Sequence, residues 1–207
     1  MPQIRGLTLE FYIHLINTET TLLTALSALL RKYANGWLAP MLLIGVIFFN
    51  TVVFSNQQSN LAANSEGARP LDLLYAYTPQ TAYALIASYG EAGRAEYRRF
   101  ELTVDLIYPI VYTLFFSLAA AWLFQRGFSS NSAMQTYIII PLGAWLFDLL
   151  ENLGIAAMLS IHPLTPAWLA WTAAAATSLK WLFVFASGLL LLIGLAAALK
   201  NGFKTQT

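Results

Sequence analysis

Four stretches of this chain, 37–54, 102–124, 137–159 and 176–199, are apolar over a membrane-crossing length, and nothing else in the sequence constrains the fold as much. At 1.5 Å per residue, about 20 residues cross a hydrocarbon core of about 30 Å. Lipid offers no hydrogen bonds to the backbone, so each stretch must close its own as a helix. The composition agrees: 58% of residues are hydrophobic and 10% charged, against about 25% charged in soluble domains. The sequence therefore predicts an all-α polytopic membrane protein in one domain, 1–207. It is a four-transmembrane-helix bundle with an amphipathic N-terminal helix over 1–35 and an outer helical cap within 55–101.

The N-terminal stretch does not read as a signal peptide, because Glu10, His14, Asn17 and Glu19 interrupt its apolar core. Leu9, Tyr12, Ile13 and Ile16 instead follow helical spacing, with Glu10, His14 and Asn17 opposite, as in a helix lying on a membrane face. Arg5, Arg31, Lys32, Arg126, Lys200 and Lys204 fall on one side of an even-span arrangement. The positive-inside rule makes that side cytoplasmic and places both termini there, as in a bacterial inner-membrane protein. A net charge of +1 gives no reason to invoke nucleic acid, and the absence of cysteine excludes thiol chemistry and disulfides.

The long connection 55–101 divides in two. Residues 55–70 are rich in Asn, Gln, Ser and Ala and read as a mobile loop. Beyond it, Thr78 suits an N-cap, Pro79 the first helical position and Gly90 the helix end, and Ala82, Leu85, Ile86 and Tyr89 form an apolar stripe. A second helix then leads from about Glu91 into the second span. The Tyr and Trp residues at 75, 77, 83, 89, 97, 168 and 171 read as an interfacial aromatic belt.

Function is to be sought where ionisable groups stand inside the spans: Asp105, Asp148, Glu151 and Lys180. Each costs at least about 2.5–3.5 kcal/mol at bilayer depth unless it finds a partner, water or a task. Counted from the cytoplasmic ends, Asp148 lies at about 16 Å, Asn50 at about 18 Å, Glu151 at about 21 Å, Tyr108 at about 24 Å, Asp105 at about 28 Å and Lys180 near about 30 Å. The site thus sits in the outer half, beneath the cap. Glu101, Asp105, Tyr108 and Tyr112 share one helix face, as do Asp148, Glu151 and Asn152. Pro109 leaves the carbonyl of Asp105 without its helical partner, and Pro141 does the same for Tyr137.

Depth pairs Lys180 with Asp105 or Glu151 and leaves Asp148, about 14 Å lower, without a cation at its level. Asp148 is then the candidate general acid and Glu151 the base, with Asn152 and Tyr108 as orienters and Lys180 keeping Asp105 ionised. Arg94 and Arg98 are candidates for clamping a headgroup, and Tyr112 and Trp145 for lining a substrate, with Phe115 and Phe116 beside its tail. The bland alternative is that these polar groups are interhelical glue, worth about 0.6 kcal/mol per hydrogen bond. The zinc-protease pattern and the nucleophile elbow are absent. The depth difference of about 12 Å argues against an Asp105–Asp148 dyad. No cofactor or metal signature is present.

The string Tyr77-Thr78-Pro79, Tyr89-Gly90, Gly93-Arg94, Tyr97, Asp105-Leu106-Ile107-Tyr108-Pro109, Asp148-Leu149-Leu150-Glu151-Asn152 and Lys180 resembles a family of small bacterial four-helix membrane proteins of uncharacterised activity. The resemblance covers about half the chain, from 77 to 181, and implies the fold without an activity. The residues themselves point to a membrane-embedded enzyme or binder of an amphiphilic, lipid-like or isoprenoid substrate, working by acid/base chemistry. A non-enzymatic assembly subunit that meets a membrane-protein partner or its own copies, or a proton-linked transport component, are the rival expectations.

Overall fold

The computed structural model describes residues 22–64 and 69–204; the stripe of Leu9, Tyr12, Ile13 and Ile16 lies outside them. A helix over 22–33 (α1) is followed by α2 (Leu38–Phe48), a π-helical turn (Phe49–Val53) and α3 (Phe54–Asn64). Then come α4 (Pro79–Ser88), α5 (Gly90–Glu101), α6 (Val104–Gly127), α7 (Pro141–Ile161) and α8 (Ala167–Lys204). No strand occurs among the described residues. Four helical stretches are long and apolar enough to cross a membrane: Leu38–Ala63, Gly90–Gly127, Ala133–Ile161 and Ala167–Gly202.

The first of these corrects the sequence reading. Residues 55–64 are not a loop but continue the first span as α3. No Gly or Pro interrupts them, and the polar side chains bond back along the helix: Ser59 Oγ donates to the Ser55 carbonyl at 2.8 Å, as Thr51 Oγ1 does to Ile47 at 2.8 Å. Gln57 and Leu61, four apart, are the buried pair that holds α3 to the body. The third span also begins differently: a 3-10 segment, Ala133–Ile139, precedes α7, and Pro141 occupies the first turn of α7 instead of its interior. The Tyr137 carbonyl accepts from the Ile140 N–H at 3.0 Å, so it is not left free. The fourth span is longer than 176–199, running from just after Pro166 as a single 38-residue helix.

In the cap, Thr78 Oγ1 accepts the Thr81 N–H at 3.2 Å, Pro79 opens α4, and Gly90, at φ 65°, takes the left-handed backbone that separates α4 from α5. Four tyrosines expected in an interfacial belt, Tyr77, Tyr83, Tyr89 and Tyr97, are instead buried in the cap's own core with Leu61, Leu71 and Ile86. Their hydroxyls tie down backbone that would otherwise stay unbonded: Tyr89 donates to the Arg69 carbonyl and Tyr83 to that of Pro166, each at 2.9 Å. Burial holds the Tyr77 and Tyr89 hydroxyls well above the usual tyrosine range, so both stay protonated. Tyr75, Trp168 and Trp171 are exposed.

Helices α6, α7 and α8 pack on one another, while α2 packs on α6 and exposes Met41, Ile44, Ile47 and Phe48. Close approach of α7 and α8 rests on small residues: a Cβ added at Gly154 would stand 2.9 Å from that of Ala173. One apolar cluster joins the cap to the ends of α7 and α8 through Ile155, Met158 and Ala173. A second, at the opposite end, gathers Leu30, Leu118, Phe124, Ile138 and Leu190. At that end Arg31 donates to the Gln135 carbonyl at 3.2 Å and Asn201 to that of Gly127 at 3.1 Å, so 31, 127, 135 and 201 are neighbours. Between the two clusters lies a polar layer.

Candidate functional site

The polar layer takes Asp105, Tyr108 and Tyr112 from α6, Asp148, Glu151 and Asn152 from α7, and Thr177 and Lys180 from α8. Each set follows helical spacing, so each helix turns one polar strip inward. Lys180 pairs with Glu151, which settles the choice that depth left open between Glu151 and Asp105. Glu151 is fully buried, and its Oε1 accepts the Thr177 hydroxyl at 2.7 Å. The Thr177 hydroxyl also lies 3.4 Å from that of Tyr77, which links this pair to the cap.

The carbonyl that Pro109 frees on Asp105 accepts the Asn152 side-chain amide at 2.8 Å. A backbone defect on one helix is thereby satisfied by a side chain on the next, locking α6 to α7. Tyr112 donates to Asp148 Oδ2 at 2.8 Å. Asn50, in the π-helical turn, donates to the Tyr108 hydroxyl at 2.7 Å. The turn places the Asn50 side chain toward α6, and π-helical turns recur at functional sites.

These groups border a cavity of about 230 Å³. Its polar lining includes Asn50, Asp72, Asp105, Tyr108, Asp148 and Lys180, and its apolar lining includes Val46, Phe54, Phe116, Trp181 and Val184. Depth arithmetic at about 1.5 Å per residue along untilted axes sets Asp148 about 12 Å below Asp105 and about 14 Å below Lys180, yet all three line this one space. Such arithmetic assumes untilted helices starting from one baseline, a condition that helices of 21, 24 and 38 residues need not meet. Asp148 is accordingly not remote from a cation, since Lys180 faces the same cavity.

Of the other residues singled out in the sequence, Tyr112 and Phe116 line the cavity, whereas Glu151 stands behind Lys180. Arg94 bonds to the Ile86 carbonyl at 3.4 Å, Arg98 is exposed on α5, and Trp145 is exposed on α7; none of them is on the cavity wall. Phe115 lines a separate apolar groove with Pro40 and Trp122.

Asp72 escaped the sequence reading. It sits in a 3-10 turn, Leu71–Leu73, whose Leu71 N–H donates to the Tyr97 hydroxyl at 3.0 Å while that hydroxyl donates to Asp72 Oδ1. The signal was available: a lone carboxylate inside the apolar run Leu71–Leu74 carries the same burial problem as those in the spans. Thr177 had no comparable signal, because a threonine in an alanine-rich helix bonds to its own backbone at little cost. Among the described residues no three His, Cys, Asp or Glu side chains converge as metal ligands would.

The fold and site together describe an all-helical protein with four span-length helices and a partly open cavity walled by buried carboxylates and one lysine. Against protein families, curated proteins and solved structures alike, no match to this chain is found.

Proposed function

We propose that this is an integral membrane protein of the bacterial inner membrane, with both termini cytoplasmic, that takes an amphiphilic, lipid-like or isoprenoid molecule into the cavity beneath its cap. The carrying observation is the cavity itself, lined by both ionisable and apolar side chains, as an amphiphile requires. Val46 and Asn50 of the first span and Trp181 and Val184 of α8 both reach it, yet that span packs chiefly on α6, so among the described residues the side between it and α8 is the less closed one. That side is the access route from the lipid. Basic Arg31, Arg126 and Lys200 lie at the end opposite the cap, which supports an outward-facing cap.

In the enzymatic form of this reading Asp148 is the proton-transfer group. Tyr112 fixes its Oδ2 at 2.8 Å, and its carboxyl lines the cavity where the substrate would sit. It gives a proton to one atom of the substrate and accepts one from another. Glu151 holds Lys180 at the wall and acts on the substrate only through it. Phe116 and Val184 receive the tail.

The test pairs mass spectrometry of lipid copurifying in mild detergent with two variants. Wild type should carry a defined amphiphile, and Val184→Trp, which fills the apolar wall, should lose it. Asp148→Asn should keep the amphiphile and the melting temperature while losing the genetic or chemical phenotype at matched abundance. An empty wild-type cavity overturns the binding reading; a fully active Asp148→Asn overturns the acid/base step and leaves a binder.

A further inference from the structure

The identity of the polar end follows from a charge tally, resting on the amphiphile-binding reading above. Among the described residues five carboxylates are buried, Asp72, Glu101, Asp105, Asp148 and Glu151, against one buried cation, Lys180. They lie within electrostatic reach of one another. Lys180 is committed to Glu151. Of the three carboxylates on the cavity wall, Asp72 has the Tyr97 hydroxyl and Asp148 has that of Tyr112. Glu101 is also unpaired among the described residues but does not line the cavity; Asp105 is 4% exposed, lines it, and its carboxylate has no hydrogen-bond or ion-pair partner among those residues. Buried charges and polar groups are ordinarily paired, so an unpaired carboxylate facing an empty space marks the position of a missing donor.

The rest of the wall says which donor. Tyr108, Tyr112, Phe54, Phe116 and Trp181 line the cavity, and the Tyr108 and Tyr112 rings meet edge to face at 5.2 Å. Aromatic faces beside a carboxylate stabilise a cation, and more strongly when it is desolvated. An anionic head would find three carboxylates on the wall and a lysine already neutralised. The arginines able to grip a phosphate, Arg94 and Arg98, are elsewhere. We infer that the cavity selects an amphiphile with a cationic amine or ammonium head, seated between the unpartnered Asp105 carboxylate and the aromatic rings of α6, and rejects phosphate heads.

The experiment uses the full chain in an uncharged detergent and titrates three probes of matched chain length, dodecyltrimethylammonium, dodecanol and dodecyl phosphate, read by native mass spectrometry and by Trp fluorescence. The ammonium should bind at least about tenfold more tightly than either other probe. Asp105→Asn should bring it down to the level of the alcohol. Should Asp105→Asn not fold, Val184→Trp serves in its place: it should weaken all three probes together, and ammonium binding unchanged by it places the cation elsewhere and overturns the inference. Equal or tighter binding of the alcohol or the phosphate overturns the charge assignment while leaving an amphiphile site. Binding of none of the three overturns both.

Discussion

Lys180 is the only buried cation among the described residues, and its worth is set by what it would leave behind. Replacing it by Met strands the Glu151 carboxylate, fully buried on α7, without its ion pair. Such a loss costs about 3–5 kcal/mol when only one partner goes. Lys180→Met should therefore lower the melting temperature sharply in detergent. Adding Glu151→Gln should recover most of the fall, whereas adding Asp105→Asn should recover much less. A thermal-shift series showing equal rescue by the two would displace the pair from Glu151. The glue reading and the site reading separate at this residue scale: Asn152 bonding to the carbonyl of Asp105 holds two helices together, while the Asp105 carboxylate has no hydrogen-bond or ion-pair partner among the described residues.

Among the elements, α6, α7 and α8 carry the site, and the spacing of α7 and α8 depends on small side chains. At Gly154 an added Cβ meets Ala173 at 2.9 Å, so anything larger must push the helices apart. Gly154→Leu should destabilise the protein by about 1–3 kcal/mol, as overpacking does. Gly188→Ala is the control: nothing lies within 4 Å of its added Cβ, so it should be neutral or slightly stabilising. A melting comparison of the two decides the point, and an undisturbed Gly154→Leu would mean the interface is looser than described. The polar α3 makes a related lesson. Its Asn, Gln and Ser residues have a loop-like composition, yet with no breaker present and side chains bonding back to the helix, the backbone stays helical to Asn64.

For the whole molecule, the arrangement of basic residues predicts which end faces out. Single cysteines at Ser59, on α3, and Ser129, between α6 and α7, should differ in intact cells toward an impermeant thiol reagent. Only position 59 should label. Labelling at 129 in unbroken cells would invert the orientation and move the cavity to the cytoplasmic half.

The sequence by itself determined what local chemistry can fix. Span length and apolar composition set four long helices; Thr78, Pro79 and Gly90 set the bounds of α4; helical spacing set which polar residues share a face. Pro109 showed that a carbonyl on α6 would need a partner, though not that Asn152 would supply it. Only the tertiary structure decided how the faces meet. The packing of α6, α7 and α8 brings Asp105, Asp148 and Lys180 around one cavity, although depth counted along single helices sets Asp148 apart from the other two. The cap's tyrosines turn inward into its apolar core, where the Tyr89 and Tyr83 hydroxyls donate to the carbonyls of Arg69 and Pro166. Asp72, far from the others in sequence, reached the cavity through the hydroxyl of Tyr97. Register between helices depends on the packing of many side chains at once, and no spacing rule along a single helix contains it.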